Sequence, residues 1–146
     1  MLKNPAIFYN LVKQNLRILE KENVYILVAE DDADDRFLLQ AAFDENSFTE
    51  TLLFVDNGIE VMDKLNSIRK AGGDYPKIII LDLNMPKKDG RETLKDLKTS
   101  PYYKDIPVII FSTTDNEHEI EHCYMLGANS YFFKPDNYAM FISKTS

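Results

Sequence analysis

"VYILVAEDDADDR", residues 24–36, decides the fold. It passes from an apolar segment straight into five carboxylates within six positions: Glu30, Asp31, Asp32, Asp34 and Asp35. The segment 24–29 is apolar almost throughout rather than alternating, the pattern of a strand covered on both faces. Carboxylates crowded at the end of such a strand repel one another and resist losing water. A fold keeps them there when something offsets the charge, either a bound cation or the start of a helix.

Outward from this stretch the same arrangement repeats. Short apolar runs at 51–55, 77–81, 107–111 and 130–133 alternate with amphipathic segments near 33–46, 58–71, 90–98 and 116–126, and a last, short one follows Pro135. Turn chemistry separates them: "DNG" at 56–58, "GGDYP" at 72–76, "SPYYKDIP" at 100–107 and "LGAN" at 126–129. Five strand-then-helix units in a row predict an α/β protein, a parallel sheet with right-handed crossovers and helices on both faces.

Residues 1–23 stand apart from this repeat. Asn4 is a plausible N-cap and Pro5 suits the first helical position, so an extra amphipathic helix is expected. Ile7, Leu11 and Ile18 share one stripe, with Phe8, Val12 and Leu19 beside it. We read 1–23 as a helical extension and 24–146 as the domain proper. A helix packed on the domain, or a mere leader, is favoured over a dimerisation or partner-binding helix, since an apolar stripe usually just faces the core. At the other end only eleven residues follow Pro135, so the final helix has two or three turns at most.

Composition narrows the function. The chain has 146 residues, 45% hydrophobic and 28% charged, as in an ordinary single globular domain. A net charge of −7 argues against nucleic-acid binding through the protein's own field. The single cysteine, Cys123, excludes an internal disulfide and fits a reducing compartment. No apolar run reaches the length of a membrane span and no signal-peptide pattern opens the chain, so a cytoplasmic protein is expected. His118 and His122 have a spacing that suits a metal, yet they lie on a polar helix and read as solvated surface.

In open α/β sheets ligands sit beyond the C-terminal ends of the strands. Those ends carry Glu30 and Asp31, Asp82, Ser112 with Thr113 and Thr114, and Lys134 before Pro135. Three carboxylates around a small space suit a hard divalent cation, of which Mg²⁺ accepts few protein ligands and keeps its waters. A hydroxyl and an ammonium beside them would neutralise and orient a phosphoryl group. A carboxylate can itself be the nucleophile and form an acyl phosphate.

With these residues in order, the chain resembles the receiver domain of two-component response regulators. The resemblance spans about residues 24–140 and rests on "ILVAEDDADDR", "VDNG", "IIILDLNMPKKDG", "IPVIIFST" and "MLGANSYFFKP". "DLNMPKKDGRETL" and "SPYYKDIPV" are similar to single-domain regulators, including those paired with bacterial phytochromes. The family implies a flavodoxin-like, doubly wound, five-stranded parallel sheet of order 2-1-3-4-5. It also implies a phosphoryl group passed to Asp82 from a sensor histidine kinase or His-phosphotransfer protein, with Mg²⁺ as cofactor.

By position, Asp31 would bind the metal directly and Glu30 through water. Asp82 and the main-chain carbonyl of Asn84 would complete the protein ligands. Ser112 and Lys134 would hold the phosphoryl group, with a cis peptide before Pro135, and Tyr131 occupies the place of an aromatic switch. Asp32 then reads as the N-cap of the following helix with Asp35 at N3, and Asp34 and Asp35 lie in a first turn that favours negative charge. Thr113 stands where the family often has a smaller residue and is expected to restrict access to the phosphoryl group. The short final helix puts the family's usual output surface in doubt. Either the N-terminal helix compensates or a partner chain supplies the missing helix, so a homodimer is one expectation and an unspecified downstream protein another.

Two other classes fit these residues less well. A Mg²⁺-dependent aspartyl-phosphate phosphatase wants a second Asp two positions after the nucleophile, where this chain has Asn84. A flavodoxin-like cofactor binder wants a Ser/Thr/Gly-rich loop after the first strand, where this chain has carboxylates that repel phosphate. A receiver is not expected to be an enzyme in the turnover sense, and without an attached DNA-binding segment it would not contact nucleic acid.

Overall fold

A computed structural model of the chain describes residues 5–16, 25–46 and 50–134. The elements are α1 (Pro5–Leu16), β1 (Tyr25–Ala29), α2 (Ala33–Glu45), β2 (Thr51–Val55), α3 (Gly58–Ala71), β3 (Ile78–Leu81), α4 (Gly90–Thr99), β4 (Val108–Ser112), α5 (Glu117–Leu126) and β5 (Ser130–Phe133). The five strands form one parallel sheet of order β2-β1-β3-β4-β5, the order that the family resemblance implies. The expected final helix, Asn4, Ile18, Leu19 and the Lys134–Pro135 peptide lie outside the described residues.

Local chemistry sets the helix boundaries. Asp32, Asn57, Asp89 and Asn116 each cap a helix, the side chain accepting from the backbone N–H three residues on. Helices α3 and α5 end on Gly72 and Gly127, both in the left-handed conformation. The start of α4 is pressed onto the end of β3: a Cβ on Gly90 would lie 2.2 Å from the Asp82 carbonyl oxygen. Only glycine allows that approach.

The sheet has two buried faces. One is packed with aliphatic side chains against α3, α4 and α5, and includes Leu27, Leu65, Ile79, Leu81, Leu94, Leu97 and Ile110. The other is covered by α1 and α2, and gathers Phe8, Tyr9, Val12, Phe43, Phe111 and Phe132 about Ile26, Val28, Ile78 and Ile80. Phe8 is fully buried, 5.3 Å from the Phe111 ring, 4.9 Å from Phe132 and 6.0 Å from Phe43 between centroids. Helix α1 therefore packs on the domain, and it buries the stripe of Phe8 and Val12 rather than that of Ile7, which is 39% exposed. The aromatic surface offered by Phe43, Phe111 and Phe132 selects a ring over a branched aliphatic.

Candidate functional site

The sheet ladder itself positions the strand-end side chains. Backbone hydrogen bonds continue one residue past the strands: Glu30 N–H to the Val55 carbonyl at 3.0 Å, Asp82 N–H to Ala29 at 3.1 Å and Lys134 N–H to Ser112 at 3.0 Å. Since β1, β3 and β4 are neighbours, Glu30 and Asp31, Asp82, and Ser112 end side by side. Lys134 comes from the adjacent edge strand. Arg36 secures the end of β1 by donating to the Glu30 main-chain carbonyl and pairing with Asp56 in the loop after β2.

Glu30, Asp31 and Asp82 each offer a carboxylate oxygen within 4.8 Å of the others. Glu30 and Asp82 are buried and Asp31 is exposed. Among them lies one ammonium. Lys134, its side chain 9% exposed, pairs with Glu30 Oε1 and donates to Asp82 Oδ2 at 3.1 Å and to Asp35 Oδ2 at 2.9 Å. Burial pushes Glu30 up to about 7, against the lowering effect of its hydrogen bond to Lys134 and with Asp82 adding to the rise. Burial works against the Lys134 charge, but the hydrogen bond to Glu30 and the carboxylates of Asp82 and Asp35 carry its pKa above the usual lysine range. The donor set of hard oxygens, two of them buried, fits a small divalent cation such as Mg²⁺.

The loop after Asp82 is tightly folded. Asn84 N–H donates to Asp82 Oδ1 at 3.3 Å. Lys88 N–H reaches the Pro86 carbonyl at 2.7 Å across Lys87, whose φ is 64°. This three-residue γ-turn is the rarer, positive-φ kind, and the conformation is a strained one for lysine.

Thr114 ties the other side together. It donates its N–H to Ser112 Oγ at 3.3 Å, and its hydroxyl oxygen accepts from Asn84 Nδ2 at 3.2 Å. Its carbonyl accepts from the Tyr131 hydroxyl at 2.6 Å. Tyr131 is thus turned inward, and burial, with Cys123 adding to the effect, raises its hydroxyl to about 12. Thr113 is exposed and Ser112 fully buried.

The structure therefore gathers Glu30, Asp31, Asp82 and Lys134 in one cluster, with Ser112 and Asn84 bordering it. Two participants escaped the sequence reading. In the sequence Thr114 stands out only as a neighbour of Ser112. Asp35 was accounted for by the helix start, and its backbone N–H does donate to the capping Asp32 at 2.9 Å, yet its carboxylate reaches Lys134. A fully capped first turn leaves the Asp35 side chain free to point elsewhere, and that was the available signal.

The profile described as "Response regulator receiver domain" matches residues 26–144. The chain belongs to the response regulator receiver family. It is 36% identical over 117 residues to "Response regulator Rcp1" of Synechocystis, the match covering 77% of each chain. It is 32% identical over 119 residues to "Probable methanogenesis regulatory protein FilR2" of Methanothrix harundinacea, covering 81% of this chain and 77% of that one. Among solved structures it resembles the phosphorylated cyanobacterial phytochrome response regulator RcpA, with a TM-score of 0.75 and 36% identity over 84% of this chain and 89% of that one. It also resembles the Mn²⁺-bound form of Rcp1, with a TM-score of 0.74 and 33% identity over the same shares. The receiver fold and the strand order follow from both sequence and structure.

Proposed function

We propose that this receiver is a phosphorylation switch in which Asp82 is the phosphoacceptor. The observation that carries the proposal is the pairing of a buried strand-end carboxylate with a buried ammonium at 3.1 Å, beside two further carboxylates suited to a divalent cation. An Asp82 carboxylate oxygen attacks the phosphorus of a phosphohistidine on a sensor histidine kinase or His-phosphotransfer protein. An acyl phosphate forms as the P–N bond breaks, and the electron pair and then a proton go to the imidazole. Mg²⁺, held by Asp31, Asp82 and the Asn84 main-chain carbonyl, with Glu30 reaching it through water, would spread the charge of the phosphoryl oxygens.

Lys134 opposes the same charge from the other side, and Ser112 donates to a phosphoryl oxygen. Ser112 is held to Thr114 and Thr114 to Tyr131, so moving the Ser112 hydroxyl disturbs both. That is the path by which the site biases a surface read by a downstream protein or a second copy of the chain. The exposed Thr113 limits access to the phosphoryl group; slower decay of phospho-Asp82 in the wild type than in Thr113→Ala would bear this out, and equal rates would refute it.

The donor docks over α2, where Phe37 is 72% exposed. We take residues 24–146 as the receiver and 1–23 as its helical extension, acting in the cytoplasm without direct contact to nucleic acid. No described helix is long and apolar enough to cross a membrane. With Asn84 in the place of a second Asp, the protein is not a turnover phosphatase. Acetyl phosphate with Mg²⁺, followed by intact mass, should add one phosphoryl group to the wild type and none to Asp82→Asn. Persistent labelling of that variant overturns the assignment.

A further inference from the structure

Lys134 is shared by three carboxylates from three parts of the fold: Glu30 after β1, Asp82 after β3 and Asp35 in the first turn of α2. Their situations differ. Glu30 and Asp82 also belong to the carboxylate cluster suited to a divalent cation, whereas Asp35 lies outside it. Glu30 moreover has a partner on each oxygen: Oε1 pairs with Lys134 and Oε2 accepts from Asp32 N–H at 3.2 Å. Rotating that carboxylate toward a cation or its water lengthens its contact with Lys134, because both oxygens move together. Asp82 likewise has Lys134 on Oδ2 and Asn84 N–H on Oδ1, and it carries the reacting oxygen.

Asp35 alone is free of these competing demands. Its backbone is fixed by the hydrogen bond from its own N–H to Asp32 Oδ1. Its side chain is 27% exposed, and its contact with Lys134, at 2.9 Å, is shorter than that of Asp82. A four-carbon lysine stem without a lateral anchor samples several rotamers. One ammonium held from the helix side stays aimed at Asp82 while Glu30 is drawn away.

We propose that Asp35 is a positioning residue for Lys134, holding its ammonium over Asp82 when Glu30 turns toward a divalent cation. The proposal rests on Asp82 being the phosphoacceptor. It makes Asp35 a determinant of how readily phosphoryl transfer occurs, without making it a metal ligand.

The test compares wild type, Asp35→Ala and Asp35→Glu as full chains, with Asp82→Asn as control. Asp35→Ala keeps the helix-capping hydrogen bond, which uses backbone N–H, and thermal melting checks that it folds. Phosphorylation by acetyl phosphate at saturating Mg²⁺ is followed by intact mass. Mg²⁺ affinity is measured by calorimetry without phosphodonor, and the Lys134 side-chain ammonium is observed by ¹⁵N NMR with and without Mg²⁺.

Asp35→Ala should slow phosphorylation by roughly fivefold, the scale of a partly exposed ion pair, with Mg²⁺ affinity unchanged and substantial recovery in Asp35→Glu. The ammonium resonance should survive Mg²⁺ in the wild type and broaden in Asp35→Ala. A wild-type rate in Asp35→Ala overturns the proposal, as does a loss of Mg²⁺ affinity that accounts for the slower rate. Labelling of Asp82→Asn would instead overturn the phosphoacceptor reading on which it stands.

Discussion

The two faces of the sheet are built on different terms. The face under α3, α4 and α5 is mainly aliphatic and is sealed by segments that follow one another directly in the βα repeat. The face under α1 and α2 is aromatic, and part of its cover arrives from before the first strand. Many small branched side chains can share the loss of one neighbour. A face organised around stacked rings concentrates its packing in a few residues. Phe8 is such a residue, since it touches rings from α2, β4 and β5 at once.

The comparison can be broken most directly at that ring. Phe8→Ala should destabilise the chain by about 3–5 kcal/mol, the range for a fully buried Phe truncated to Ala. Urea unfolding measures it, and a loss within the ordinary scatter of surface substitutions would show that α1 only rests on the domain. A smaller effect is expected from the opposite face. Gly90→Ala places a methyl against the Asp82 carbonyl and should cost about 1–3 kcal/mol by overpacking, while also displacing the loop that carries Asn84. Unfolding and acetyl phosphate labelling together read this out, and unchanged values in both would disprove the tight contact between α4 and β3.

The smallest effect concerns Cys123, buried in the aliphatic face. Burial pushes its thiol up to about 11, with Glu119 adding to the rise and Arg91 opposing it. The folded state therefore holds the proton that the unfolded chain releases near 9, so stability falls as pH rises from about 9 to about 11. Below that window the thiol stays neutral and iodoacetamide should modify it only after unfolding; rapid alkylation of the native protein at pH 8 would contradict this.

Most of the fold was legible because the βα repeat leaves little choice. Uniform apolar runs give buried parallel strands, and strand ends in such sheets converge on a crevice. The positions of Asp82, Glu30, Asp31 and Lys134 at strand ends thus bring them together from the sequence pattern alone. The facing of α1 was less legible, since Ile7 and Leu11 form as apolar a stripe as Phe8 and Val12. The surface of β4 and β5 makes the selection, and nothing local to α1 encodes it. Asp35 was hidden for another reason: one explanation, the helix start, already sufficed. Thr114 acts through its backbone and its hydroxyl together, and a loop sequence does not show where either points.

The backbone bonds of Glu30, Asp82 and Lys134 to their neighbouring strands bear on how the domain can change shape. The Asp82 amide bonds between the interior strands β3 and β1 and exchanges with solvent only when the sheet itself opens, so it should exchange more slowly than those of Glu30, paired to the edge strand β2, and Lys134, which follows the edge strand β5. The Asp82 end of the site is thus shielded from fraying at the sheet edges. Its motion is left to side-chain rotation and to the two connecting loops, after Asp82 and after Ser112, which is where a signal carried by so rigid a base must first become visible.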